Sequence, residues 1–148
     1  MACPFFLPME RLDGEWLYPH RLPLGCGWRG QCAAPGHEGE SPSQEELRDF
    51  CNLGYAQGCR RLPQEREWDS LRFGVKTPGN GVGIPGRIQI HYVCERDHRP
   101  AENGTLIFDT AGERWECIHG NPCVQKMAEC FLQSFIEKKK REAERAAS

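Results

Sequence analysis

The spacing of apolar positions along this chain changes several times, and each change predicts an element. Leu47, Phe50 and Cys51 fall at i, i+3 and i+4, one face of a short helix. Ser41, Pro42 and Gln44 read as its N-cap, first position and capping-box partner, with Ser43 and Glu46 an alternative box two residues on. Gly54 is a plausible stop. The period then falls to two. Leu71, Phe73 and Val75 alternate, as do Ile88, Ile90, Tyr92 and Cys94. Thr105–Asp109 and Arg114–Ile118, joined by Thr110-Ala111-Gly112-Glu113, read as a hairpin. Together these predict a small, mostly antiparallel sheet of three or four strands. The last period is helical. Val124, Met127, Ala128, Phe131, Leu132, Phe135 and Ile136 form one stripe, with Asn121 as cap and Pro122 as first residue. The stripe should pack on the sheet; left exposed it would bind a partner.

Residues 1–40 show no period. Proline recurs at 4, 8, 19, 23 and 35, and glycine at 14, 25, 27, 30, 36 and 39. Phe5, Phe6, Trp16, Tyr18, Leu24 and Trp28 are nevertheless too apolar for a disordered tail. The expectation is irregular chain wrapped over a core. The fold class is therefore α+β, in a single domain over 1–148. Residues 1–63 are its cysteine-rich segment, 64–120 its small sheet and 121–148 its C-terminal helix.

Composition changes this picture only by exclusion. The chain has 148 residues, the size of one ordinary domain, and a formal net charge of −2. Nothing in that balance demands a nucleic acid or an anionic membrane as partner. Lys138-Lys139-Lys140-Arg141 is interleaved with Glu137, Glu142 and Glu144 at helical spacings, which describes a solvated helix end. No run approaches the ~18–20 apolar residues that cross a membrane. The opening MACPFFLPMERL lacks a basic leader and is cut by Pro4 and Pro8, so it reads as mature chain and not as a signal peptide. That favours a cytoplasmic location, where thiols stay reduced.

Nine cysteines then need an account. The odd count rules out complete pairing within one chain. Inert buried thiols and disulfides are the bland readings. A metal centre is the sharper one, because Cys3, Cys32, Cys51 and Cys59 lie in a stretch with little apolar material of its own. Intervals of 28, 18 and 7 residues separate them, and no C-x-x-C pair of the kind zinc ribbons use occurs. A four-thiolate iron–sulfur cluster tolerates scattered ligands, and Phe5, Phe6, Trp28, Phe50 and Tyr55 could shield it.

The order Cys3-Pro4, then Gly30-Gln31-Cys32-Ala33-Ala34, then Pro42-Ser43-Gln44-Glu45-Glu46-Leu47 with Cys51, then Cys59, resembles short four-cysteine iron–sulfur modules over residues 1–63. Where that pattern has Cys-Pro, this chain has Cys59-Arg60-Arg61-Leu62-Pro63. The resemblance implies Cys3, Cys32, Cys51 and Cys59 as ligands, with Cys26 as substitute. A second thiol and imidazole group comprises Cys94, His98, Cys117, His119 and Cys123, with Cys130 beyond it. Cys94-x3-His98 and Cys117-x-His119 could chelate zinc. Their bland reading is buried strand cysteines, with Cys123 and Cys130 bordering the helix stripe. Gly81-Val82-Gly83-Ile84-Pro85-Gly86 has the letters of a nucleotide fingerprint, but a strand pattern follows it instead of a helix. The five histidines are scattered and form no catalytic constellation.

The function expected is an iron–sulfur protein with one [4Fe–4S] cluster, in electron transfer or redox sensing, meeting a redox or regulatory protein partner. One alternative is a zinc-stabilised module that binds a protein or nucleic acid. The other is a metal-free thiol redox protein or enzyme.

Overall fold

The computed structural model describes residues 1–12, 16, 22–54, 56–76 and 86–147. Its architecture is α+β: two antiparallel sheets, a very short helix and a long C-terminal one. The larger sheet is a four-stranded meander of β3 (Ser70–Val75), β4 (Arg87–Arg96), β5 (Arg99–Asp109) and β6 (Arg114–Cys117). The alternating residues behave as their period requires. Leu71 pairs with Cys94 and Phe73 with Tyr92, while Ile90 pairs with Leu106. The expected hairpin forms, with Asp109 opposite Arg114 across the Thr110–Glu113 turn. β5 begins earlier than its apolar pattern suggests. Asp97 (φ 52°) and His98 (φ 63°) make a two-residue turn with both residues left-handed, the geometry that matches strand twist.

The smaller sheet corrects the expectation for residues 1–40. β1 (Phe6–Leu12) and β2 (Gly27–Cys32) pair antiparallel, with Phe6 opposite Cys32 and Leu12 opposite Gly27. Proline and glycine hid this pair from a period-based reading. Pro8 sits beside a bulge between Pro8 and Glu10, where a strand tolerates a missing donor. A Cβ on Gly30 would stand 2.0 Å from the Leu7 carbonyl oxygen, so only glycine permits that approach.

α1 is only Gln44–Glu46, continued by a π-helical turn, Leu47–Cys51, and followed by a 3₁₀ turn, Ala56–Gly58. Ser43, not Ser41, is the N-cap. Its hydroxyl accepts from the Glu46 amide at 3.2 Å, and the Glu46 carboxylate accepts from the Ser43 amide at 3.0 Å. The alternative capping box is the one that closes. Gly54 (φ +74°) ends the segment against the backbone of Met1.

α2 (Pro122–Ala147) carries the predicted stripe and packs on both sheets. Val124 and Met127 are fully buried with Phe6, Leu24 and Leu71. Ala128 and Leu132 close on Ile90 and Leu106. At roughly 1.5–3 kcal/mol per buried large aliphatic side chain, these contacts fix the helix more firmly than its own propensity does. No helix among the described residues is long and apolar enough to cross a membrane. The glycine-rich letters at 81–85 lie outside the described residues; Gly86 (φ +78°) leads into β4.

Candidate metal centre

Backbone pairing brings three of the four N-terminal cysteines together. Ala2 bridges to Leu71 at the edge of the large sheet, with N–H to carbonyl distances of 2.7 and 2.9 Å. That seats Cys3, whose amide donates to the Cys51 carbonyl at 3.2 Å. The chain then turns, Phe6 N–H donating to Cys3 O at 3.1 Å, and enters β1 opposite Cys32. The Cys3 carbonyl, the end of β2 and the π-helical turn thus meet at one corner of the fold. Cys51 is buried there, with Cys3 and Cys32 half-buried.

Cys59 reaches the same corner from the chain that leaves the 3₁₀ turn. Arg61, two residues on, is 6% exposed. Its Nε donates to Glu40 at 2.9 Å, and its Nη1 donates to the Glu46 carboxylate of the capping box. Glu40 also accepts from or shares a proton with His37 Nδ1 at 2.7 Å, and its carbonyl accepts from the Cys32 amide at 2.9 Å. One guanidinium therefore joins the Cys32 turn, the Cys51 turn and the Cys59 segment.

Electrostatics report the same convergence. Burial pushes the Cys3 thiol up to about 12, and neighbouring Cys32, Cys59 and Cys123 add to the rise. Burial also drives Cys51 strongly upward, reinforced by Cys3, Cys59 and Cys32. Cys32 is raised by burial, against an opposing hydrogen bond from the Ala34 amide and the pull of Arg61. The Ala34 N–H stands 3.4 Å from Cys32 Sγ. A backbone hydrogen bond from Phe5 acts on Cys3 in the same sense. The Ala34 donor lies two residues after Cys32 and reaches its sulfur, where it favours a thiolate. Among the described residues, no three Cys, His, Asp or Glu side chains are grouped as a single metal ion would require.

Cys123 is the member of this corner that sequence reading placed only at the core's border. It is buried in the first turn of α2, and burial and Cys32 push it up to about 11. Asn121 caps that turn, its Oδ1 accepting from the Cys123 amide at 2.9 Å. The convergence depends on tertiary packing of α2, which spacing along the chain does not encode. Cys26 lies elsewhere, with its Sγ 3.3 Å from Ser134 Oγ.

The second thiol and imidazole group does not assemble. Cys94 is fully buried on β4, while His98 is exposed in the following turn. Cys117 is exposed on β6, contrary to the expectation that it is buried. The short edge strand leaves it outside the sheet's covered face. His119 instead accepts from the Asn121 amide at Nδ1 (2.9 Å), which leaves Nε2 to donate to Glu102 at 2.7 Å. Tyr92 packs edge-on against its ring at 4.9 Å. Both ring nitrogens are engaged, and His119 serves to tie β5 to the start of α2.

No protein-family model, curated protein or solved structure matches this chain.

Proposed function

We propose that this chain binds an iron–sulfur cluster, one [4Fe–4S] cube, through Cys3, Cys32, Cys51 and Cys59, and that it works in electron transfer or redox sensing with a protein partner in a reducing compartment such as the cytoplasm. The observation that carries the reading is the convergence of thiols from four separate segments: Cys32 and Cys59 add to the proton affinity of Cys3, and Cys3, Cys59 and Cys32 to that of Cys51. Cluster ligands bind as thiolates, so a centre held here would have to take the protons of these thiols. A cube offers iron at four corners, so its thiolates surround a body. Zinc draws all four sulfurs to about 2.3 Å from one point.

Once bound, the cluster would supply one-electron chemistry. The chain's own part is to exclude water and set the sulfur environment. The amides of Phe5 and Ala34 and the Arg61 guanidinium stabilise negative charge on sulfur, and such contacts tune a cluster's potential. A metal-free thiol enzyme needs a thiol of lowered pKa. Cys3, Cys32, Cys51, Cys94, Cys123 and Cys130 are all shifted the other way.

The test is ligand replacement. Cys51→Ser and Cys59→Ser should each abolish iron retention, while exposed Cys117→Ser should retain the wild-type iron content. Unchanged iron in Cys51→Ser would refute the ligand assignment.

A further inference from the structure

A cavity of about 630 Å³ lies at the far end of α2 from the thiol corner. That volume falls within the roughly 300–1,000 Å³ of small-molecule sites. Its floor is kept low by composition. Gly25 and Gly27 flank Cys26 there; a Cβ on Gly25 would stand 2.5 Å from Ser134 Cβ, and one on Gly27 2.1 Å from the Trp16 ring. Ser134 is held by the Leu24 carbonyl at 2.8 Å, which fixes the helix against this floor.

The helix face along the cavity changes character with length. Phe131 and Phe135 line it first, with Trp16, Leu12 and Leu22 opposite. One turn further the lining residues are Lys138, Arg141 and Arg145, at spacings of three and four that keep them on one face. Arg11 adds a fourth cation, against Glu142 as the acidic residue among the described lining. Arg11 pairs with Glu137, and Arg141 lies 3.8 Å from the same carboxylate. An aromatic interior that opens onto cations recognises an apolar body joined to an anionic head.

We infer that this cavity binds a free amphipathic anion, a small molecule with an aliphatic or aromatic body and a carboxylate or similar head. The body rests on Phe131, Phe135 and Trp16. The head meets Lys138 and Arg141 at the rim, where a charge-assisted hydrogen bond needs no deep burial. The inference is independent of the cluster, because none of the four proposed ligands lines the cavity.

Decanoate is a suitable probe, below its micellar concentration and titrated into the full chain by calorimetry, with decyltrimethylammonium as the matched cation. The expected result is saturable one-to-one binding of decanoate, at least tenfold weaker for the cation. Lys138→Glu with Arg141→Glu should weaken decanoate at least tenfold while leaving the circular dichroism unchanged. Lys138→Gln with Arg141→Gln, which introduces no new charge, should fall between the two. Bound decanoate should also slow alkylation of Cys26 severalfold. Absent binding, equal binding of anion and cation, or indifference to both double variants would overturn the inference. So would sedimentation with anionic phosphatidylglycerol vesicles in the absence of decanoate binding.

Discussion

Asn52 offers the sharpest perturbation of the corner that positions Cys51. Its side chain is 1% exposed and makes three hydrogen bonds. Oδ1 accepts from the Trp28 amide at 3.0 Å, and Nδ2 donates to the carbonyls of Trp28 and Leu47, each at 2.9 Å. The amide thus continues the outer edge of β2 onto the π-helical turn. In Asn52→Ala the Leu47 carbonyl keeps its bond from the Asn52 backbone amide at 3.0 Å. The Trp28 amide and carbonyl lose the side chain that satisfies them. At about 1–3 kcal/mol for each of the two buried groups left unpaired, the cost is about 2–6 kcal/mol. That is a large share of the ~5–15 kcal/mol that holds a typical domain. At about 2–4 °C per kcal/mol for a chain of this size, the melting temperature should fall by roughly 4–24 °C. Urea unfolding, followed by circular dichroism and tryptophan fluorescence, measures the cost. Asn52→Asp keeps the acceptor for the Trp28 amide but turns a carboxylate toward two carbonyl oxygens, so it should be no better than alanine. A change in Asn52→Ala below about 0.5 kcal/mol would refute the argument, as would an unaltered exchange rate at the Trp28 amide.

Other outcomes follow from neighbouring contacts. Gly54→Ala forces a Cβ to within 1.8 Å of the Met1 carbonyl oxygen at a left-handed φ; hydrogen exchange should show faster opening at Ala2 and Leu71, with a cost above about 1 kcal/mol. Arg61→Lys keeps the charge but not the fork that spans Glu40 and Glu46, so iron should pass to a chelator severalfold sooner than from wild type. Asp69 accepts from the Asp97 amide at 2.7 Å and from Arg66 at 2.6 Å, which hold its carboxyl below the ordinary value. Its contribution is complete above an ordinary carboxylate pKa of ~3.9 and is lost as pH falls through the lower folded value. Acid unfolding of Asp69→Asn should therefore show a shallower pH dependence below about pH 4 than wild type, and equal slopes would count against this contact.

How much of this was legible in the chain depended on whether local period and tertiary packing agree. The strands around Leu71 and Ile90, the 110–113 turn and the stripe of α2 each bury the face their spacing marks. The β1–β2 pair did not announce itself, because Pro8, Gly27 and Gly30 suit close backbone approach and a bulge more than an alternating face. The apolar phase marks the helix at 44–51 in the right place, but Ser41 and Ser43 both satisfy the letters of a capping box, and the cap that forms is the later one. Within the corner, Cys51 was placed by its helix phase. Cys123 was not placed there, because only the packing of α2 brings its first turn beside Cys32. The Arg61 bridge was equally hidden: Glu40 lies 21 residues from it and Glu46 lies 15.

The wild-type protein, purified without air, should be analysed first for absorbance, iron, zinc and acid-labile sulfide. A [4Fe–4S] protein would be brown and absorb near about 400 nm, with iron and sulfide each at about four per chain. A colourless protein that carries zinc without sulfide, or no metal at all, would contradict the cluster assignment.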